Sequence, residues 1–229
     1  MKKAKRVSKK NLKAARVLLV DDHPMVRERL AEVIQSEPGF VVCGQAESRP
    51  QALDVIAATR PDIVIVDLTL RNSSGIDLIK DIHARWPEVV MLVVSMHDEQ
   101  LHAERAMRAG ALGYITKQEA TRKIMLALET VRKGEIYLSE QMALNIAGQA
   151  VGHPRARSRL TIDRLSDREL QVFQLIGQGH STEAIASKLC LGRHTIETYR
   201  ARIKEKFNLK NGHELLQRAI QWSQLEPTE

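Results

Sequence analysis

Between residues 16 and 133, five short apolar runs alternate with stretches of helical periodicity, and few folds satisfy that alternation. The runs are RVLLV (16–20), FVVCG (40–44), DIVIV (62–66), VVMLVV (89–94) and GYIT (113–116). In the first intervening segment Val26, Leu30, Val33 and Ile34 recur at helical spacing. Ser48 and Gln51 stand at capping-box spacing before the second, and Pro50 is tolerated in its first turn. Five strands alternating with five helices predict an α/β doubly wound, five-stranded parallel sheet with helices on both faces. The crossovers are right-handed. In such sheets ligands bind beyond the carboxyl ends of the strands, at the topological switch point.

After KGEIYLSE the pattern changes. Residues 149–162, QAVGHPRARSRLTI, have the Gly, Pro, Ser and Arg content of a linker, entered by a short helix at 140–148. Only helical patterns follow, at about 166–177, 181–188, 192–207 and 212–222. Ser166 and Glu169 form a second capping-box signature. The expected organisation is a basic arm at 1–15, an α/β domain at 16–138, a linker at 139–162, and a small all-α domain of four helices at 163–229.

Charge divides along the same lines. The net charge is +7, yet residues 1–16 alone carry +8, residues 17–139 carry −4 and residues 163–229 carry +1. A basic arm can contact nucleic-acid phosphates, or it can be a solvated, disordered tail. Aromatic residues make up 3% of the chain, so Leu, Ile, Val and Ala must fill both cores. No apolar run approaches the ~20 residues of a membrane span, and no apolar segment follows the basic start as in a secretory signal. Cys43 and Cys190 are isolated and expected to be reduced thiols. A cytoplasmic protein without a membrane partner is the expectation.

The stretch IVIVDLTL (63–70) poses a chemical problem. Asp67 ends an apolar strand, and a buried charge costs several kcal/mol unless something pairs with it. Asp21 and Asp22 follow the first strand, a neighbour of the third in this fold, so three carboxylates converge at one edge. A hard cation relieves their repulsion. Mg²⁺ takes oxygen ligands and keeps several waters, so two carboxylates and a backbone carbonyl suffice. Ser95 ends the fourth strand and Lys117 follows the fifth. A hydroxyl and a fixed cation at that edge can hold a phosphoryl group placed on Asp67. Singly, each feature has a blander reading: turn chemistry for the paired aspartates, a cap for Ser95, a solvated charge for Lys117. Their placement at the ends of four strands of one sheet is what carries the chemical reading.

Residues 16–133 resemble the receiver domain of two-component response regulators, through VDDHP (20–24), VDLTLRNSSGIDL (66–78), VVSMHDE (93–99) and AGALGYITK (109–117). Residues 163–222 are similar to the LuxR-type helix-turn-helix of the NarL/FixJ subfamily, through LSDRELQVFQLIGQGHSTEAIASKLCLGRHTIETYRARIKEKFNLKN. The resemblance implies that Asp67 accepts a phosphoryl group from a sensor histidine kinase. It implies that Asp22 ligates Mg²⁺ directly, Asp21 directly or through water, and Thr69 through its carbonyl. Ser95 and Lys117 hold the phosphoryl oxygens, and Tyr114 stands where the family keeps an aromatic switch residue paired with Ser95. An ordinary edge-strand aromatic is the other reading of Tyr114. Two departures are visible. LTLRNSSG replaces the common Met-Pro after the acceptor strand, and Gln118 replaces the common Pro after the lysine, which puts the usual cis bond there in doubt.

On the segment 192–207, Ile196, Ile203 and Phe207 form one apolar face, while His194, Thr198, Ala201, Arg202 and Glu205 lie opposite with Glu197 on the flank. Residues 193–210 hold six Lys/Arg against two Glu. A helix with one buried stripe and a basic outer face suits the major groove of double-stranded DNA. Glu197, Thr198 and Ala201 occupy positions where the family reads bases. Arg193, Arg200, Arg202 and Lys206 are phosphate candidates, and His194 and Thr195 complete the expected contact set. A +1 module binds weakly alone, so an active homodimer on paired half-sites is expected. Leu215, Ala219 and Trp222 of the last helix, with Leu216 and Ile220 adjacent, are the expected output-domain interface. RNA polymerase is a further partner open to such a regulator.

Two other classes compete. An enzyme on the same sheet is disfavoured: a flavodoxin needs a hydroxyl- and Gly-rich phosphate loop where this chain has DDHP, and a haloacid-dehalogenase-like phosphatase needs D-x-D where it has Asp67-Leu68-Thr69. At most, the chain catalyses its own phosphoryl transfer and dephosphorylation. A receiver-bearing regulator that ignores phosphate and answers to partners remains open.

Overall fold

The computed structural model describes residues 14–70, 73–96, 99–144 and 162–225. It divides into two compact units, one running to Met142 and one beginning at Ala143. The first is built from β1 (Ala15–Val20), α1 (Pro24–Gln35), β2 (Phe40–Ala46), α2 (Arg49–Thr59), β3 (Ile63–Val66), α3 (Gly75–Arg85), β4 (Val90–Ser95), α4 (Glu99–Ala109), β5 (Gly113–Thr116) and α5 (Lys117–Arg132). The strands form one parallel sheet in the order β2-β1-β3-β4-β5. This is the doubly wound sheet that the alternation predicts, and its order reverses between β1 and β3.

All four residues of β3 are buried, because both faces are covered. On one face Val17, Leu19, Ile63, Ile65, Leu92 and Val94 pack with Leu30 and Ile34 of α1 and Ile124, Leu128 and Val131 of α5. The alternate residues Leu18, Val20, Val64, Val66, Met91 and Val93 are equally buried on the other face, which α2, α3 and α4 cover. Burying a side chain of this size contributes about 1.5–3 kcal/mol.

One helix start differs from expectation. Ser48 is the N-cap of α2 but its hydroxyl caps nothing. Pro50 sits at the second helical position and has no N–H, which removes one of the two donors that an N-cap side chain can serve. The Gln51 Oε1 instead accepts from the Glu47 amide at 2.9 Å.

The second unit opens with a 3₁₀ turn at Ile162–Arg164, followed by α6 (Asp167–Gly177), α7 (Thr182–Lys188), α8 (Arg193–Lys206) and α9 (Gly212–Leu225). The expected capping box is present: Ser166 Oγ accepts from the Glu169 amide, and Glu169 Oε2 accepts from the Ser166 amide at 2.6 Å. Ser181 caps α7 by accepting from the Ala184 amide. Phe173 centres the core, edge-on to Phe207 at 5.2 Å and tilted against Trp222 at 5.7 Å. The turn between α7 and α8 passes through Cys190 at φ 51°, a left-handed conformation that turns the chain sharply. Of the helix expected at 140–148, residues 140–144 are helical and the rest lies outside the described residues. No described helix is long and apolar enough to cross a membrane.

Candidate functional site

Asp21 follows β1 and Asp67 follows β3, and the parallel pairing Val20↔Val66 sets the two side by side. The Asp67 amide donates to the Val20 carbonyl at 2.8 Å, which locks that register at the carboxyl edge. Both side chains are almost wholly buried, at 5% and 3% exposure. Lys117, the first residue of α5, resolves much of the resulting repulsion. Its Nζ lies 2.7 Å from Asp67 Oδ2 and 2.7 Å from Asp21 Oδ2, with its side chain 7% exposed. Breaking such a buried pair by removing one partner costs about 3–5 kcal/mol.

The carboxylates still outnumber the ammonium. Burial pushes Asp67 above the usual carboxylate range: Lys117 pulls the other way, but burial and Asp21 outweigh it. Burial opposes the charge on Lys117, yet Asp67 and Asp21 together hold it above its ordinary value, so it stays protonated. One ammonium serving two carboxylates accounts for both directions.

Asp22 completes the acidic set. Its Oδ1 is buried and makes no aligned hydrogen bond, although His23 Nδ1 stands 2.7 Å away. Ligand atoms from Asp21, Asp22, His23 and Asp67 all lie within 4.8 Å of one another. Oxygen donors at this spacing, one of them buried and unaligned with any donor, are compatible with a hard divalent cation such as Mg²⁺. Thr69 flanks the pocket, its amide 3.3 Å from Asp67 Oδ1. Ser95 is fully buried at the end of β4, paired with Thr116 of β5 at the same carboxyl edge. Tyr114 is fully buried on β5. No cis peptide bond occurs among the described residues, in keeping with Gln118 after the lysine.

Sequence reasoning brought Asp21, Asp22, Asp67 and Lys117 to one edge, and the structure joins all four. It missed three contributors. His23 lies 3.0 Å from Asp21 Oδ1 as well as against Asp22; its place directly after two acids was the available signal. Arg27 donates to the Asp21 carbonyl and anchors the loop. Gly75 is demanded by close approach: a Cβ there would stand 2.1 Å from the Asp67 carbonyl oxygen. Only a residue without a side chain lets α3 begin against the back of Asp67.

On α8, Ile196 and Ile203 are fully buried in the domain core and Phe207 packs against it. The other face is open. Arg193, His194, Glu197, Ala201 and Arg202 are exposed, and Thr195, Thr198 and Arg200 are half-buried. Several of these side chains are tied to neighbours. Arg193 pairs with Glu183 of α7 at 3.2 Å, Glu197 Oε1 accepts from the Thr182 hydroxyl at 3.2 Å, and Arg200 Nε lies 3.9 Å from Glu197. Thr198 donates its hydroxyl to the His194 carbonyl.

One phosphate candidate has a partner within its own domain, and the expected output-domain interface needs correction. Lys206 donates to the buried Glu169 Oε2 at 2.5 Å, so its ammonium serves the capping box of α6. Leu215 and Ala219 are wholly buried within the domain's own core, and Trp222 is packed on Phe173. Leu215 and Ala219 are therefore closed to another molecule, whereas Trp222 is half-buried. Among the described side chains of α9, the exposed large apolar ones are Leu216 and Ile220, at 37% and 36%.

Comparison with known proteins agrees with this architecture. Residues 17–129 match the response regulator receiver domain, and residues 163–219 match the luxR family of bacterial regulatory proteins. The chain is 32% identical to the response regulator GacA of Pseudomonas aeruginosa over 205 residues, covering 90% of this chain and 95% of that relative. It is 29% identical to the oxygen regulatory protein NreC of Staphylococcus haemolyticus over 209 residues, covering 90% and 96%. A LuxR-family two-component response regulator from Aurantimonas sp. SI85-9A1 is similar at 36% identity and a TM-score of 0.56, over 60% of this chain and 99% of that one. Salmonella RcsB bound to a promoter with the phosphomimetic BeF₃⁻ shares the fold at 23% identity and a TM-score of 0.59, over 90% and 98%. The chain belongs to the DNA-binding two-component response regulators, a family of regulators rather than typical enzymes.

Proposed function

We propose that Asp67 is the phosphoacceptor of this regulator and that a sensor histidine kinase supplies the phosphoryl group. The observation that carries the reading is Lys117 bridging two buried carboxylates, 2.7 Å from each, at the edge where Ser95 also ends its strand. An Asp67 oxygen forms the new bond to phosphorus as the bond to the donor nitrogen breaks, and the nitrogen takes up a proton. Lys117 and the Ser95 hydroxyl then hold the phosphoryl oxygens. Asp21, Asp22 and Asp67, with the Thr69 carbonyl, would hold Mg²⁺, which neutralises charge on the transferring group. At most, its catalysis extends to its own phosphoryl transfer and dephosphorylation.

Downstream, α8 enters the major groove of double-stranded DNA. Glu197, Thr198 and Ala201 read bases. Arg193, Arg200 and Arg202 neutralise phosphates, with His194 and Thr195 at the helix N-terminus. Phosphorylation favours a homodimer, which gives two weak DNA-binding domains a high effective concentration on paired half-sites. Leu216 and Ile220 are the apolar contacts between output domains. Tyr114 and Ser95 are the switch pair, and contact with RNA polymerase follows in the cytoplasm. The division this reading uses is arm 1–15, receiver 16–138, linker 139–162 and output domain 163–229, with the first compact unit running on to Met142.

Acetyl phosphate with Mg²⁺ tests the proposal by intact mass. Wild-type protein gains one phosphoryl group and Asp67→Asn gains none. Equal labelling of both would remove Asp67 from its role and favour a regulator that responds to partners without phosphate.

A further inference from the structure

The chain stays on the receiver after α5. Tyr137 donates its amide to the Leu112 carbonyl at 3.1 Å, and its own carbonyl accepts from the Tyr114 amide at 2.9 Å. This makes a parallel bridge to Gly113 along the outer edge of β5. Gly113 is needed there: a Cβ would lie 3.1 Å from both the Cβ and the carbonyl oxygen of Tyr137, and 2.9 Å from Leu92. Two residues later, Ser139 donates its amide to Glu99 Oε1 at 2.9 Å. The Ser139 hydroxyl accepts from the Met142 amide at 3.1 Å and so starts the helical residues 140–144. Met142 is fully buried and ends the compact unit. Residues 135–142 therefore form a strap with one anchor on β5 and one on α4.

The position of the second anchor gives it meaning. Glu99 is the first residue of α4, four positions after Ser95. Ser95 in turn pairs with Thr116 of β5. Both anchors thus sit on elements that Ser95 joins to the acidic pocket. A hydrogen bond is lost once its heavy atoms separate beyond about 3.5 Å, so a shift of about an ångström at Glu99 is enough to break the one to Ser139. The backbone bridge at Tyr137 does not depend on Glu99.

We propose that Glu99 is a coupling residue. While Asp67 is unmodified, the Glu99 carboxylate holds Ser139 and keeps the strap closed on the receiver. When Ser95 moves to meet a phosphoryl group, Glu99, four positions on, shifts with it and the hold on Ser139 is released. The release frees the chain that leads from the receiver to the DNA-binding domain. The inference rests on the reading of Asp67 as phosphoacceptor.

Hydrogen exchange on the full-length protein, with and without beryllofluoride and Mg²⁺, tests it. In wild type the Ser139 amide loses about tenfold or more of its protection on adding beryllofluoride, the scale expected for losing a hydrogen bond to a charged acceptor. The Tyr137 amide keeps its protection. Glu99→Ala brings Ser139 to the released level without beryllofluoride, whereas Glu99→Gln, which keeps an acceptor oxygen, retains most of the protection. Unchanged Tyr137 protection in both variants verifies that the receiver is folded. If amides beside Asp67 respond to beryllofluoride and Ser139 does not, or if Glu99→Ala leaves Ser139 unchanged, the coupling role is wrong. If the amides beside Asp67 do not respond at all, the phosphoacceptor reading itself fails.

Discussion

Replacing Lys206 with Met separates two roles that the sequence alone cannot distinguish. Lys206 Nζ lies 2.5 Å from Glu169 Oε2, and the Glu169 side chain is 3% exposed. A hydrogen bond to a charged group contributes about 1.5–3 kcal/mol. The Lys206 end is 36% exposed and therefore screened, which favours the lower half of that range, about 1.5–2 kcal/mol. Methionine keeps the stem but removes the ammonium, leaving Glu169 with the Ser166 amide. For a domain of this size, the expected fall in Tm is about 6–16 °C. Unfolding by urea, followed by Trp222 fluorescence in a Trp86→Phe background, reads the change. The pH dependence adds a second test. Burial alone would raise the Glu169 carboxyl, but Lys206 and Ser166 outweigh it and hold the group below the usual carboxylate range. A depressed carboxylate contributes stability that is fully present above its unfolded value, about 4.3, and is lost as pH falls through its folded value. The gap between wild type and variant is therefore widest near neutrality and narrows below about pH 4.5. If Lys206→Met matches wild type to within about 0.5 kcal/mol at pH 7, the ammonium does not stabilise the capping box. If it also flattens the salt dependence of DNA binding by about one phosphate contact, Lys206 is a backbone contact.

Gly75→Ala forces a Cβ to within 2.1 Å of the Asp67 carbonyl, so thermal melting of the receiver should drop by the equivalent of about 1–3 kcal/mol and acetyl-phosphate labelling should slow. Leu216→Asp should leave melting unchanged and weaken binding to paired half-sites relative to a single half-site, as read by mobility shift. Leu215→Ala, one position away but buried, should instead cost about 2–5 kcal/mol of output-domain stability in the same urea assay.

The receiver was legible because strands covered on both faces leave continuous apolar runs, and because Asp21, Asp67, Ser95 and Lys117 sit immediately after those runs. Topology does the rest: once β1, β3, β4 and β5 are adjacent, residues far apart in the chain meet without any further signal. Contacts that depend on how helices pack were not legible in this way. Leu215, Ala219 and Trp222 mark an apolar face by their spacing, but spacing does not say whether the cover is the domain's own α6 or another molecule. Lys206 looks like any basic residue on a recognition helix, because Glu169 lies 37 positions away. Ser48 had the spacing of a cap, yet Pro50 withdrew one of its donors. The strap at 135–142 reads in sequence only as the end of a domain, since its anchors are two backbone hydrogen bonds along β5 and one hydrogen bond to α4.

Charge balance in the pocket yields one more prediction. Asp21, Asp22 and Asp67 meet one buried ammonium, with the mostly exposed His23 at the rim. Lys117 is already shared, and burial together with Asp21 is enough to raise Asp67 despite it. A phosphoryl group on Asp67 adds roughly −1 to −2 charge at neutral pH by analogy with other phosphorylated side chains. Without another cation that charge would stand against Asp21 and Asp22 at a few ångströms in a poorly solvated edge, where each uncompensated pair is worth about 4 kcal/mol at an effective dielectric constant near 20. Lys117 cannot compensate alone, because turning fully to the phosphoryl oxygens strips Asp21 of its partner. Labelling by acetyl phosphate should therefore fall at least tenfold when EDTA replaces Mg²⁺, and Asp22→Ala should weaken the Mg²⁺ dependence while leaving the Lys117 bridge in place. Labelling at an undiminished rate in EDTA would mean that the ammonium and nearby protons suffice, and that the carboxylates at this edge serve the fold rather than a metal.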